Sequence, residues 1–93
     1  MIVGTVIITL YAPWVRSLKE KRMIVQSLIK KARNRFNISI AEIEETNKHQ
    51  SIVLGISCVS NNTNHVNSIL TEVVNFLESN TEAEIVDVHM EII

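Results

Sequence analysis

Eight of the nine Lys and Arg residues in this chain of 93 fall between Arg16 and Arg35, with Glu20 the only acid among them. Within that stretch Lys19, Arg22, Gln26, Lys30 and Arg33 follow one another at steps of three or four, so on a helix their side chains line one ridge. Such a row, roughly 20 Å long at about 1.5 Å per residue, places successive cations where the phosphates of a nucleic acid could meet them. Lys19, Arg22, Lys30 and Arg33 are the central candidates. Arg16 and Lys21 stand at the margins, and Trp14 offers a stacking plane at one end. The bland reading of the same ridge is a solvated helix face that keeps the protein soluble.

Catalytic chemistry finds less to work with. His49, His65 and His89 are scattered along the chain with no HExxH or CxxC spacing to bind zinc. Gly4 and Gly55 are the only glycines, too few for a phosphate-cradling loop or a dinucleotide fingerprint. Cys58 is alone, and its place in the apolar run from Ile52 to Val59 predicts a buried thiol rather than a nucleophile. An acid-base pair of His89 with Asp87 or Glu91 is outweighed by the simpler reading of a polar strand face. No catalytic residue, metal ligand or cofactor is expected.

The elements that carry these residues follow from periodicity and end signals. Ile2 to Leu10 alternates Gly4, Val6, Ile8 and Leu10 against Val3, Thr5, Ile7 and Thr9, which predicts a strand. Pro13 interrupts it. Ser17 and Glu20 form a capping-box pair that opens a helix, and Leu18, Val25, Leu28, Ile29, Ala32 and Phe36 supply its apolar stripe. Asn37 is expected to end that helix in a left-handed conformation. A second strand from Ile38 to Glu45 has Ile43 out of phase, as a bulge would leave it. Thr46 to His49 make a polar turn, and Gln50 to Ser60 a third strand. A second helix starts among Ser60, Asn61, Asn62 and Thr63 and buries Val66, Ile69, Leu70, Val73, Phe76 and Leu77. The last strand, Ala83 to Ile92, is expected to point Val86, Val88, Met90 and Ile92 to one side and Ile85, Asp87, His89 and Glu91 to the other.

This order, β-α-β-β-α-β, defines an α+β, ferredoxin-like fold over a single domain, residues 1–93. Right-handed crossovers stack both helices on one face of a four-stranded antiparallel sheet and leave the other face open. RNA-recognition domains of this topology stack bases on aromatic residues of the central strands. Here those positions are Val3, Thr5, Ile7, Thr9, Val53, Gly55, Ser57 and Val59, none of them aromatic. The open face instead suits stacking against a second copy, so a homodimer is expected. If nucleic acid is bound, the basic helix is the better place for it.

Composition limits the remaining choices. Hydrophobic residues make up 46% of the chain, enough for a core, and no apolar run approaches the roughly 18 residues of a membrane span. With no signal-peptide pattern at the N-terminus, a cytoplasmic location is expected and no membrane partner. The net charge of −1 hides a division: Arg16 to Arg35 carry +7, and residues 36–93, where Lys48 faces nine acids, carry −8. That segregation favours an anionic partner for the first helix.

Several segments together resemble the bacterial YlxP-like family, a group of small proteins with a domain of unknown function. They are Ser17-Leu18-Lys19-Glu20-Lys21-Arg22, Arg35-Phe36-Asn37-Ile38-Ser39-Ile40-Ala41-Glu42, Val53-Leu54-Gly55, Val59-Ser60-Asn61, His65-Val66 and Val86-Asp87-Val88. The first two segments in combination carry most of the specificity. Many members have an Asp and a Trp in the turn before the third strand, where this chain has Asn47 and His49. The resemblance implies a ferredoxin-like fold and, from the translation and ribosome-maturation genes that neighbour the family, an RNA- or ribosome-linked role. It supplies no catalytic residue. The expected function is therefore a non-enzymatic protein that touches RNA or a ribosomal particle through its basic helix. The alternative is a dimeric regulatory module that binds a small molecule or a protein partner.

Overall fold

The computed structural model describes residues 1–93. Its elements are β1 (Ile2–Tyr11), α1 (Leu18–Arg35), β2 (Ser39–Glu44), β3 (Ser51–Ser60), α2 (Thr63–Ser79) and β4 (Glu84–Ile92). The strands form one sheet in the order β2-β3-β1-β4 with every neighbouring pair antiparallel, the ferredoxin-like α+β arrangement that the periodicities predict.

The core lies between the sheet and the helices. Val6, Ile8 and Leu10 of β1 and Ile52, Leu54, Ile56 and Cys58 of β3 meet Val25, Leu28 and Ala32 of α1 and Val66, Leu70, Val73 and Leu77 of α2. Alternation explains the strand residues, and steps of three and four explain the helical ones. Gly4 marks a close approach of α2 to the sheet: a Cβ there would overlap Val66 and come within 2.8 Å of Leu70.

The ends of the helices follow local rules, with two departures from expectation. At α1 the Ser17 hydroxyl accepts from the Glu20 amide at 3.1 Å, one half of the capping box; the return bond from the Glu20 side chain does not form. Its other end closes on Phe36, which is extended and whose amide donates to the Ala32 carbonyl. Asn37 is not left-handed, because the chain turns straight into β2 and no reversal is needed there. The one non-glycine residue with positive φ is Glu45, at 56°, in the turn between β2 and β3. Asn62 is the N-cap of α2, its side chain accepting from the His65 amide at 3.1 Å.

Both sheet edges are interrupted. Glu42 pairs with Leu54 and Glu44 with Val53, so Ile43 is the extra residue of a bulge in β2, as its phase predicts. The bulge turns Ile43 toward the open face, over Gly55, where a Cβ would lie 2.9 Å from its Cγ2. In β4, Asp87 pairs with Thr9 and Ile85 with Leu10, which leaves Val86 unmatched. This second bulge corrects the expected facing of β4: Ile85 belongs with Val88 and Met90 on the helix side, and Val86 is exposed. Nothing in the simple alternation of that segment announces the slip.

Candidate nucleic-acid interface

The cations of α1 separate into a displayed set and a buried one. Lys19, Arg22, Lys30 and Arg33 are all exposed, together with Arg16, Lys31 and Arg35. Only two ion pairs form in the chain, Lys21 with Glu42 and Lys48 with Glu45, so none of the four ridge cations is neutralised by a carboxylate of the same chain. Arg33 is partly engaged, its Nη2 donating to the Ile40 carbonyl at 2.9 Å. Arg35 lies over Phe36 and Phe76, 5.8 and 5.6 Å from their ring centroids, and covers the gap between the two helices.

Lys21 must be removed from the candidate contacts. It is 0% exposed. Its position, three residues after Leu18 and four before Val25, puts it inside the apolar stripe of α1. The ammonium does not reach water, and its partners are all internal. Nζ donates to the carbonyls of Glu45 at 2.7 Å and Lys48 at 2.6 Å and lies 2.8 Å from Oε2 of Glu42. With two carbonyls hydrogen-bonded and one carboxylate oxygen paired to it by charge, the ammonium is spent on holding the β2–β3 turn against α1. The signal for this role was in the sequence: a lone Lys amid the stripe, with three glutamates (Glu42, Glu44 and Glu45) ahead of a turn.

The same turn has its own polar bonds. Ser51 and then Lys48, through hydrogen bonds to the side chain, hold the Glu45 carboxyl below the ordinary carboxylate range. Lys48 Nζ reaches Glu45 Oε1 at 3.3 Å.

The ridge stands beside the free edge of β2. Between them runs a groove of about 450 Å³ lined by Gln26, Ile29, Lys30, Arg33 and Asn34 of α1 and by Ile40, Ala41 and Glu42 of β2. Sequence reading placed Lys30 and Arg33 here but missed Asn34, Ile29 and the β2 residues. Asn34 follows Lys30 by four positions, a visible signal, whereas the strand wall emerges only when the crossover sets β2 beside α1. Arg16 and Trp14 lie beyond the other end of the ridge. Trp14 is 42% exposed, on a loop fixed by Gln50, whose Nε2 donates to the Pro13 carbonyl at 3.0 Å.

The remaining reactive side chains are dispersed. His65 Nδ1 is 3.1 Å from the Ser60 hydroxyl in the exposed cap of α2. His89 faces the open side of the sheet opposite Ile7, and His49 lies in the β2–β3 turn. No three His, Cys, Asp or Glu side chains come together as metal ligands. Cys58 is buried in the core, and burial pushes its thiol pKa up, which disfavours the nucleophilic thiolate. No helix is long and apolar enough to cross a membrane.

Fold and surface together define a small ferredoxin-like α+β protein with a cationic groove along its first helix. The chain belongs to the family described as "Protein of unknown function (DUF503)", whose model matches residues 3–90. It is 35% identical over 68 residues to the uncharacterized protein YlxP of Bacillus subtilis (strain 168), spanning 73% of this chain and 74% of that one. Among solved structures it is similar to the de novo designed protein Foldit4, with a TM-score of 0.52 and 7% identity over 99% of this chain and 94% of that one. A VAO-type flavoprotein from Myceliophthora thermophila C1 also contains the arrangement, with a TM-score of 0.55 and 14% identity over 99% of this chain but 16% of that one. At such identities the likeness is one of fold alone.

Proposed function

We propose that the protein is a non-enzymatic, cytoplasmic RNA- or ribosome-associated protein whose α1 ridge binds phosphates. The observation that carries this reading is the exposure of Lys19, Arg22, Lys30 and Arg33 on one face with no carboxylate paired to any of them. Arg16 flanks them, and Trp14 supplies an aromatic plane beyond Arg16. Buried cation pairs would have been structural; these are free to exchange counterions for phosphate.

Four phosphate contacts with a single strand give a log-log salt slope of about −3. Changing Lys19, Arg22, Lys30 and Arg33 together to Glu should therefore abolish co-sedimentation with ribosomal particles and leave the circular dichroism spectrum unchanged. Wild-type association should weaken steeply between low and high salt. Association that ignores both the charge reversal and the salt sinks the proposal.

A second copy is the proposed occupant of the open sheet face. Ile7 is 39% exposed at its middle, near Ile43 where that side chain lies over Gly55; Val59, 60% exposed, stands toward one end opposite Val3, Tyr11 toward the other, and Thr5 and Ser57 lie between Ile7 and Val59. Such a patch is self-complementary in size and polarity. Ile7→Glu with Val59→Lys should convert a dimer to a monomer in sedimentation equilibrium without altering RNA binding per protomer. A wild-type protein that sediments as a monomer at high concentration overturns this assignment.

A further inference from the structure

We infer that the groove between α1 and β2 holds one unstacked base of a single-stranded RNA, so that the ridge binds the strand's phosphates and the groove takes a base. The inference rests on the phosphate-binding reading of the ridge and adds the class of nucleic acid. A cavity of about 450 Å³ lies within the range of small-ligand sites and is the right size for one nucleotide.

Its chemistry divides as a nucleotide does. Ile29 and Ile40 give an apolar floor against which a base face can pack. Gln26 and Asn34 stand at the rim with carboxamides that both donate and accept, as the edge of a base requires. Lys30 and Arg33 take the adjoining phosphate. The bond from Arg33 Nη2 to the Ile40 carbonyl fixes the guanidinium at the wall and leaves most of its donors free. Glu42, also in the lining, has its charge offset by Lys21 and can accept from an exocyclic amino group. A duplex keeps its bases stacked and leaves none free to enter the groove.

The test compares three probes of matched length on the intact protein: a cytidine octamer, an abasic ribose-phosphate octamer and a C-G duplex. Calorimetry should show the cytidine octamer binding about tenfold tighter than either of the others. Gln26→Ala with Asn34→Ala, both at exposed positions, should weaken the octamer about fivefold with the salt slope unchanged, whereas Lys30→Ala with Arg33→Ala should flatten the slope. Equal affinity for cytidine and abasic octamers overturns the base pocket and leaves the phosphate ridge standing. Tighter binding of the duplex also overturns it, as does displacement of the octamer by a glutamate octapeptide at equal concentration. No binding of any RNA overturns the pocket and the ridge together.

Discussion

Lys21 shows why a residue type does not fix its role. The same ammonium that would meet phosphate from an exposed position instead ties two carbonyls and a carboxylate inside the fold. Replacing it by Met keeps the volume but strands Glu42 and the two carbonyls, at a cost of about 2–4 kcal/mol. Urea denaturation of Lys21→Met should show that loss, while Lys19→Met, on the exposed ridge, should change stability by less than about 0.5 kcal/mol. Glu45 gives a second measurement at this scale. Its carboxyl is held below the ordinary value when folded, so its contribution is present above the unfolded pKa and is lost as pH falls through the folded one. Glu45→Gln should therefore flatten the stability profile below about pH 4.5, where the wild type declines, and leave the profile near neutrality parallel. Cys58, with its thiol buried and its pKa raised, should react with an aromatic disulfide reagent only as fast as the protein opens.

At the scale of elements, α2 depends on Gly4 as much as on its own sequence. A methyl group at that position meets Val66 and Leu70, so Gly4→Ala should push α2 off the sheet and cost about 1–3 kcal/mol, read as a lower midpoint in thermal unfolding. Helix and strand identities were legible because each has a clean period and recognisable ends: Ser17 and Asn62 cap the two helices. The register of the edge strands was half legible. Ile43 broke the alternation of β2 visibly, since an apolar residue fell between two glutamates. Val86 did not, because Ile85, Val86 and Val88 offer two equally apolar phasings, and the choice is made by pairing with β1. Asn37 misled because a cap-forming residue was present where the following strand leaves no room for a reversal. The groove beside α1 was illegible for the same reason: its strand wall comes from residues 40–42, and only the tertiary crossover brings them to Gln26 and Lys30.

For the molecule as a whole, the charge division of the sequence carries into space only in part, because Glu42 and Glu72 lie beside cations of α1. The seven exposed cations between Arg16 and Arg35 belong to α1 and its approach, whereas Asp87 and Glu91 of β4 face away on the open side of the sheet at its far edge. A dimer stacked through the open faces would leave both ridges outward, so two strands of RNA could bind at once, and stoichiometry by calorimetry should read one octamer per protomer. The interrupted margins of the sheet bear on what else the protein can join. An additional residue at Ile43 on one border and at Val86 on the other spoils the straight ladder that a foreign strand would need to extend. Growth sideways into fibres is thereby discouraged at both borders, and even crowded solutions should hold discrete particles in place of ever-lengthening ribbons.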